Sequence, residues 1–283
     1  MTMWFLKYFL IPLNFLLFAC QGDDLIDVSP QLVVEGWIDN GGFPVVIVTT
    51  TVPIRKEYTD VSSLEDCLVR WAKVTVSDED TTVVLTGKVE EKYFPSYIYT
   101  TGQLRGEAGK CYRLTVEYGD FFAEAETTVP HVARVDSFKV EPTNDETLCQ
   151  LTACLTDDSF SSNYYAFFVM ENASDIPSSF RLSPQGIFLD NAEDSVLRIP
   201  VYMPTSLFKT PENYSRYFSV GDSVIVKFVN MDSVSYNFWK SFEDIRMLSR
   251  NPLFPALDNM ESNIRGGLGY WCGYGASYYP VKF

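Results

Sequence analysis

Apolar and polar residues alternate along much of the chain, in short runs broken by Gly, Asn, Asp and Pro. In an extended strand successive side chains point to opposite faces, so this alternation marks half-buried strands. Ala72, Val74 and Val76 alternate with Lys73 and Thr75, and Thr81 to Leu85 follows after the turn Ser77–Asp78–Glu79–Asp80. Tyr112, Leu114, Val116 and Tyr118 alternate with Arg113, Thr115 and Glu117, and Gly119–Asp120 turns that run into 121–129. Leu32 to Ile38, the turn Asp39–Asn40–Gly41–Gly42 and the β-branched run Phe43 to Val52 predict a hairpin, closed by Pro53. Further strands are predicted at Phe138 to Val140, Leu148 to Leu155, Tyr164 to Met170, Val196 to Met203 and Val224 to Asn230, with long loops at Asn172 to Gln185 and 204–221. One segment changes period. Phe238, Trp239, Phe242, Ile245 and Leu248 or Ser249 recur every three to four residues, Asp232 or Ser233 can cap them, and Asn251–Pro252 stops them, which predicts a helix with a core-facing stripe. The Gly- and Tyr-rich tail, 263–283, reads as two closing strands with a turn near Gly273 to Gly275.

These elements predict a mainly β protein. Residues 31–130 read as an N-terminal immunoglobulin- or fibronectin-like β-sandwich, with Gly109 to Val116 resembling a late strand of such a domain. Residues 131–283, beyond Pro130–His131, read as a second β-rich sandwich or barrel-like domain that carries the amphipathic helix. Residues 1–19 lie outside both. Their apolar run, from Tyr8 to Ala19 behind Lys7, falls short of the roughly 20 residues that cross a bilayer and has the length of a secretory signal core. It ends in Leu17–Phe18–Ala19–Cys20, which resembles a bacterial lipobox. That resemblance implies cleavage before Cys20, lipidation of Cys20, and a lipidated tether over 20–30. The acidic start of the tether, Gln21–Gly22–Asp23–Asp24, resembles the surface-export signal of Bacteroidota lipoproteins.

Charge and chemistry narrow the function. With 22 Lys and Arg against 37 Asp and Glu, the net charge is −15, which repels nucleic-acid phosphates. A single His, His131, follows Pro130, and no G-x-S-x-G elbow supplies a nucleophile, so a His-based triad is disfavoured. The paired acids Glu65–Asp66, Asp78–Glu79–Asp80, Asp157–Asp158 and Glu193–Asp194 lack calcium-loop spacing and read as solvated turns, and no metal or cofactor is expected. Besides Cys20 there are five thiols, an odd number. Export permits disulfides, and Cys67 with Cys111 is the candidate staple within the first domain. Asp80–Thr81–Thr82, Asp194–Ser195–Val196, Asp222–Ser223–Val224 and Asp232–Ser233–Val234 resemble Bacteroidota O-glycosylation acceptors and equally suit turn or cap junctions.

Val33–Val34–Glu35–Gly36–Trp37, Pro44–Val45–Val46 with Thr49 to Val52, Asn163–Tyr164–Tyr165, the Tyr236 to Ile245 helix and Asn263–Ile264–Arg265–Gly266–Gly267–Leu268–Gly269–Tyr270 occur in this order. Together they resemble the DUF4249 family of Bacteroidota outer-membrane lipoproteins. The resemblance implies an outer-membrane lipoprotein facing the cell exterior. It also implies a non-catalytic accessory or ligand-capturing subunit beside a TonB-dependent receptor, for an unknown small or polymeric ligand. It carries over no catalytic residues. The alternatives are a free-standing adhesive or structural surface module and, less in keeping with one His, a surface hydrolase. Tyr270, Trp271 and Tyr274 are the candidate ligand contacts, although strand alternation sends only some tail aromatics outward and buries the others.

Overall fold

The structure is a computed structural model that describes residues 30–51, 65, 67–156, 163–171, 179–190, 196–205, 214–248 and 260–283. In chain order the strands are β1 (Leu32–Asp39), β2 (Val45–Thr50), β3 (Lys73–Ser77), β4 (Thr82–Val84), β5 (Thr86–Val89), β6 (Tyr97–Thr100), β7 (Cys111–Tyr118) and β8 (Phe121–Thr128). Then come β9 (Ser137–Pro142), β10 (Leu148–Thr156), β11 (Tyr164–Glu171), β12 (Arg181–Leu189), β13 (Val196–Val201), β14 (Phe218–Ser219) and β15 (Ser223–Met231). The helix α1 (Ser233–Leu248) and the long strand β16 (Gly267–Lys282) are last.

An eight-stranded sheet in the order β12-β11-β15-β16-β1-β2-β6-β5 is the backbone of the architecture. Strand β16 makes it continuous. Its first half runs parallel to β1, from Leu32↔Gly267 to Asp39↔Tyr274, and its second half runs antiparallel to β15, from Asn230↔Gly275 to Ser223↔Lys282. One face of this sheet is covered by two smaller sheets. Sheet β4-β3-β7-β8 closes a core with the even positions of β1, among them Leu32, Val34 and Ile38, and with Trp271 of β16. Sheet β13-β10-β14, with β9 on β10, closes a second core with Phe167, Val169, Val226, Phe228 and Val281. Helix α1 packs on the opposite face, over β11, β12 and β16. The expected boundary at Pro130–His131 falls in the extended chain between β8 and β9, and strands from both sides of it share the long sheet.

The expected turn in the tail does not form. Residues 267–282 are one strand, and the glycines serve a different need. A Cβ on Gly273 would lie 2.6 Å from the Thr128 carbonyl oxygen, and one on Gly275 would collide with the His131 carbonyl. The chain leaving β8 crosses β16 there, so these positions admit no side chain. Of the loop expected from Asn172 to Gln185, residues 172–178 lie outside the described residues and Arg181–Gln185 belong to β12. Pro184 and Gly186 interrupt the pattern of that strand, and Gln185 has a φ of 58° where the register against β11 shifts. In the expected loop 204–221, residues 206–213 lie outside the described residues and Phe218–Ser219 pair with β10.

Helix α1 begins as its sequence signals require. The Asp232 carboxylate accepts the Ser235 backbone N–H at 2.8 Å, so Asp232 is the N-cap. Its other oxygen accepts the Thr127 hydroxyl at 3.0 Å and the Thr128 N–H at 3.2 Å, which ties the helix start to the end of β8. The stop signal Asn251–Pro252 lies outside the described residues.

Candidate functional site

The helix-side face of the long sheet is set by strand parity. On β1 the odd residues Glu35, Trp37 and Asp39 face away from the first core, and on β16 the even residues Tyr270, Cys272, Tyr274 and Tyr278 do the same. Register brings these rows together: Glu35 pairs with Tyr270, Asp39 with Tyr274, Lys227 of β15 with Tyr278, and Phe168 of β11 with Lys227. Helix α1 adds Phe238, Trp239 and Phe242. An aromatic groove of two adjoining lobes results, with Ser179, Phe180, Trp239 and Tyr270 lining both.

The first lobe, about 280 Å³, contains a buried ion pair. Lys227 Nζ donates to Asp39 Oδ1 at 2.7 Å and to Oδ2 at 2.8 Å. The Tyr278 hydroxyl also donates to Asp39 Oδ2. The ammonium lies 4.6 Å from the centre of the Tyr274 ring and 5.8 Å from those of Phe180 and Tyr278. Burial of such a cation is tolerable because a bidentate carboxylate and three electron-rich ring faces replace its water. Trp239 Nε1 donates to the Tyr274 hydroxyl at 2.7 Å, and the Trp239 ring meets Phe168 edge-on at 5.0 Å. Across the lobe Trp37 and Tyr93 form a second edge-on pair at 5.7 Å, with Lys92 above Tyr93. The second lobe, about 520 Å³, places Glu35, Arg181 and Arg246 among Phe94, Phe238, Phe242 and Met260.

The ionisable groups here are tuned by burial. Desolvation pushes the Tyr93 phenol up to about 12, helped by the negative charges of Glu90 and Asp39, and also raises the Tyr270, Tyr274 and Tyr278 phenols above the ordinary tyrosine value. The Cys272 thiol, beneath α1, is pushed up to about 12 by burial and is therefore not a thiolate near neutral pH. Glu35 opens onto the groove space, yet the surrounding walls strip enough water to raise its pKa above the ordinary carboxyl value. These tyrosines stay protonated and Asp39 is fully engaged. What the groove offers is ring faces and edges, a Glu carboxyl, and the Lys92 and Arg246 side chains.

The sequence matches the profile described as "Domain of unknown function (DUF4249)" over residues 22–278. The chain belongs to the DUF4249 family. A comparison with curated proteins returns no match. The DUF4249 match spans both sandwich cores, the helix and nearly all of β16, so the groove lies wholly within it.

Of the aromatics expected to contact a ligand, Tyr270 lines both lobes and Tyr274 the first. Trp271, between them, points the other way. It is fully buried in the first core and donates from Nε1 to the Tyr112 carbonyl at 2.9 Å. The candidate staple is absent: no disulfide joins Cys67 and Cys111. Cys67 adjoins Leu68, which bridges to Thr49 of β2, whereas Cys111 opens β7 in the opposing sheet with its side chain outward. Cys20 lies outside the described residues. Among the described residues no group of three or more His, Cys, Asp or Glu gathers as a metal site, and no helix is long and apolar enough to cross a membrane. Asp39, Lys227, Trp37 and Trp239 carry no signal of a binding role in the sequence. Parity of β1 signals that Asp39 shares a face with Glu35 and Trp37, but no local signal pairs it with Lys227, distant in sequence. Trp239 belongs to the core stripe the period predicts, and it is groove wall as well.

Proposed function

We propose that this DUF4249 protein is a surface-facing outer-membrane lipoprotein, anchored through Cys20. In this reading it serves as the non-catalytic accessory or ligand-capturing subunit of a TonB-dependent transporter, and the aromatic groove is where it holds its ligand. The observation that carries the reading is the groove itself. Its lobes have the size of small-molecule sites, and ring surfaces dominate its walls with few polar groups among them. A compact molecule with an apolar or ring-bearing body fits that lining better than a long polymer laid on a flat face, which favours capture over adhesion. Glu35 and Asp39 stand four residues apart on one strand, about 13 Å at their Cα atoms. The Asp39 carboxylate is held by Lys227 and Tyr278, so it is not placed to act as the second carboxylate of a glycoside hydrolase. That speaks for binding without hydrolysis.

The test is a mild-detergent pull-down of the tagged, lipidated protein from its native outer membrane, read by mass spectrometry. Stoichiometric recovery of a TonB-dependent receptor is the expected result. Recovery of the protein alone would transfer the case to a free-standing surface module.

A further inference from the structure

One end of the first sandwich collects exposed apolar side chains. Trp71 is 87% exposed, Phe122 52% and Phe121 37%. Soluble surfaces carry single apolar residues routinely, but a Trp this exposed beside two Phe is a patch that implies a contact. Four connections place these residues at one end. Trp71 precedes β3, whose first residue Lys73 pairs with Glu117, next to the β7–β8 hairpin tip that carries Phe121 and Phe122. Leu68 and Val69 are held by Thr49 and Val48 near the end of β2, opposite Leu32. The backbone of Gly266 presses on the Phe122 carbonyl, and Arg265 and Glu124 exchange backbone hydrogen bonds at 2.8 and 2.9 Å. Gly267, next in line, pairs with Leu32. The patch therefore surrounds the start of β1, where the chain enters from the tether.

We infer that this end rests on the membrane, with Trp71, Phe121 and Phe122 in the lipid headgroup region. The inference rests on the lipid-anchor reading of Cys20. A tether from Cys20 to Pro30 reaches at most about 35 Å, so the entry end of the sandwich stays close to the bilayer. Trp is the side chain best suited to a membrane–water interface, with an apolar ring and one N–H donor. Charge does not mark this end, because Arg70 is exposed there but Arg265 lies against Glu124 at 3.9 Å and Asp120 is exposed at the hairpin tip, so the aromatic rings carry the contact. A protein partner is the poorer fit, because a few side chains at a sandwich tip fall well short of the roughly 800 Å² per partner of a stable interface. The orientation also serves the groove. Asp39 lies about 23 Å further along β1 from Leu32, so the ion-pair lobe is held away from the membrane.

The experiment reconstitutes the lipidated full chain in vesicles of phosphatidylethanolamine and phosphatidylglycerol, with and without bromine on the acyl chains, and reads tryptophan emission. Intact mass of the same sample reports acylation of Cys20. The expected result is an acylated protein whose emission is quenched by brominated lipid, with that quenching lost in Trp71→Phe; the phenylalanine keeps an apolar ring at an exposed site, so folding is not at stake. An acylated protein with no quenching overturns the membrane contact while leaving the anchor standing. Quenching that persists in Trp71→Phe overturns the assignment to this end. A protein with no lipid on Cys20 removes the anchor reading and this inference with it. Loss of receptor co-purification in Trp71→Ala without any bromolipid quenching would identify the patch as a protein-docking surface and overturn the lipid assignment.

Discussion

Tyr270 and Trp271 are consecutive residues of β16, and the strand sends them to faces with different fates. On the core face, Trp271, Tyr279 and Val281 sit under two small sheets, and the chain after β8 packs so closely that only glycine fits at positions 273 and 275. On the other face, Tyr270, Tyr274 and Tyr278 border open space. The difference is one of coverage. Eight strands at about 4.8 Å spacing make a sheet close to 35 Å wide, whereas a single helix is about 10 Å across. On the helix-side face α1 spans only part of that width, and Ala166, Phe168, Val229 and Cys272 are buried there while the rest borders the groove. The groove is the uncovered part, and the aromatic residues along it are large enough to form walls without a second layer.

The largest expected effect tests the filled face. Trp271→Ala should cost about 3–5 kcal/mol through the cavity it leaves, with the Tyr112 carbonyl losing its donor as well. Tyr270→Ala, one residue away, should cost clearly less, since its ring already borders space. Urea denaturation of both variants measures the contrast, and equal losses would refute the division into a filled and an open face.

Next comes the ion pair, which joins β1 to β15 through the groove. Lys227→Met leaves the Asp39 carboxylate buried with only Tyr278 as donor, and should cost about 3 kcal/mol or more. Adding Asp39→Leu removes the orphaned charge, so the double variant should regain most of that loss. If the two single losses simply add, the pair is not coupled and the lobe is wetter than its geometry implies.

The alternating strands were legible because each carries its own evidence. β7 and β8 show it best: Tyr112, Leu114 and Val116 face inward, and Arg113 and Glu117 outward, as their period requires. Legibility failed where glycine or proline served a tertiary purpose. Gly273 and Gly275 look like turn residues locally, yet they admit a crossing chain, and Pro184 and Gly186 disguised β12 as loop. The groove was half legible. Tyr270 and Tyr274 stood out as aromatics of an alternating tail, but which of them faced outward depended on the pairing partners of β16. The Lys227–Asp39 pair was invisible, because it exists only once β15 and β1 flank the same strand.

A smaller effect tests the cover of the open face. Asp232 caps α1 and holds it to Thr127 and Thr128. Asp232→Ala should cost about 1–2 kcal/mol and loosen the first turn of the helix. Hydrogen exchange should accelerate at the Ser235 amide and its neighbours while the amides of β7 stay protected. Uniform acceleration across both would mean that the helix is part of the filled core and not a separate lid on the sheet.

The smallest effect is electrostatic, at Glu35. Desolvation by the groove walls raises its native pKa above the ordinary value of 4.5, while in the unfolded chain the carboxyl returns to that value. The native state then binds the proton more tightly, so unfolding releases it at pH values between the two. Stability contributed by the protonated form is complete below the unfolded pKa and is lost as pH rises through the raised native pKa. The Tyr270 phenol pairs opposite Glu35 and stays neutral, and Arg181 and Arg246 line the same lobe as guanidinium groups that do not titrate in this range. Glu35 is solvent-exposed, which screens the carboxylate, so the step is modest. Glu35→Gln should be about as stable as wild type near pH 4 and slightly more stable near pH 7, with the gap opening as pH rises. A gap that narrows with rising pH would mean the carboxylate is favoured in the groove, and that the second lobe is more electropositive than its walls imply.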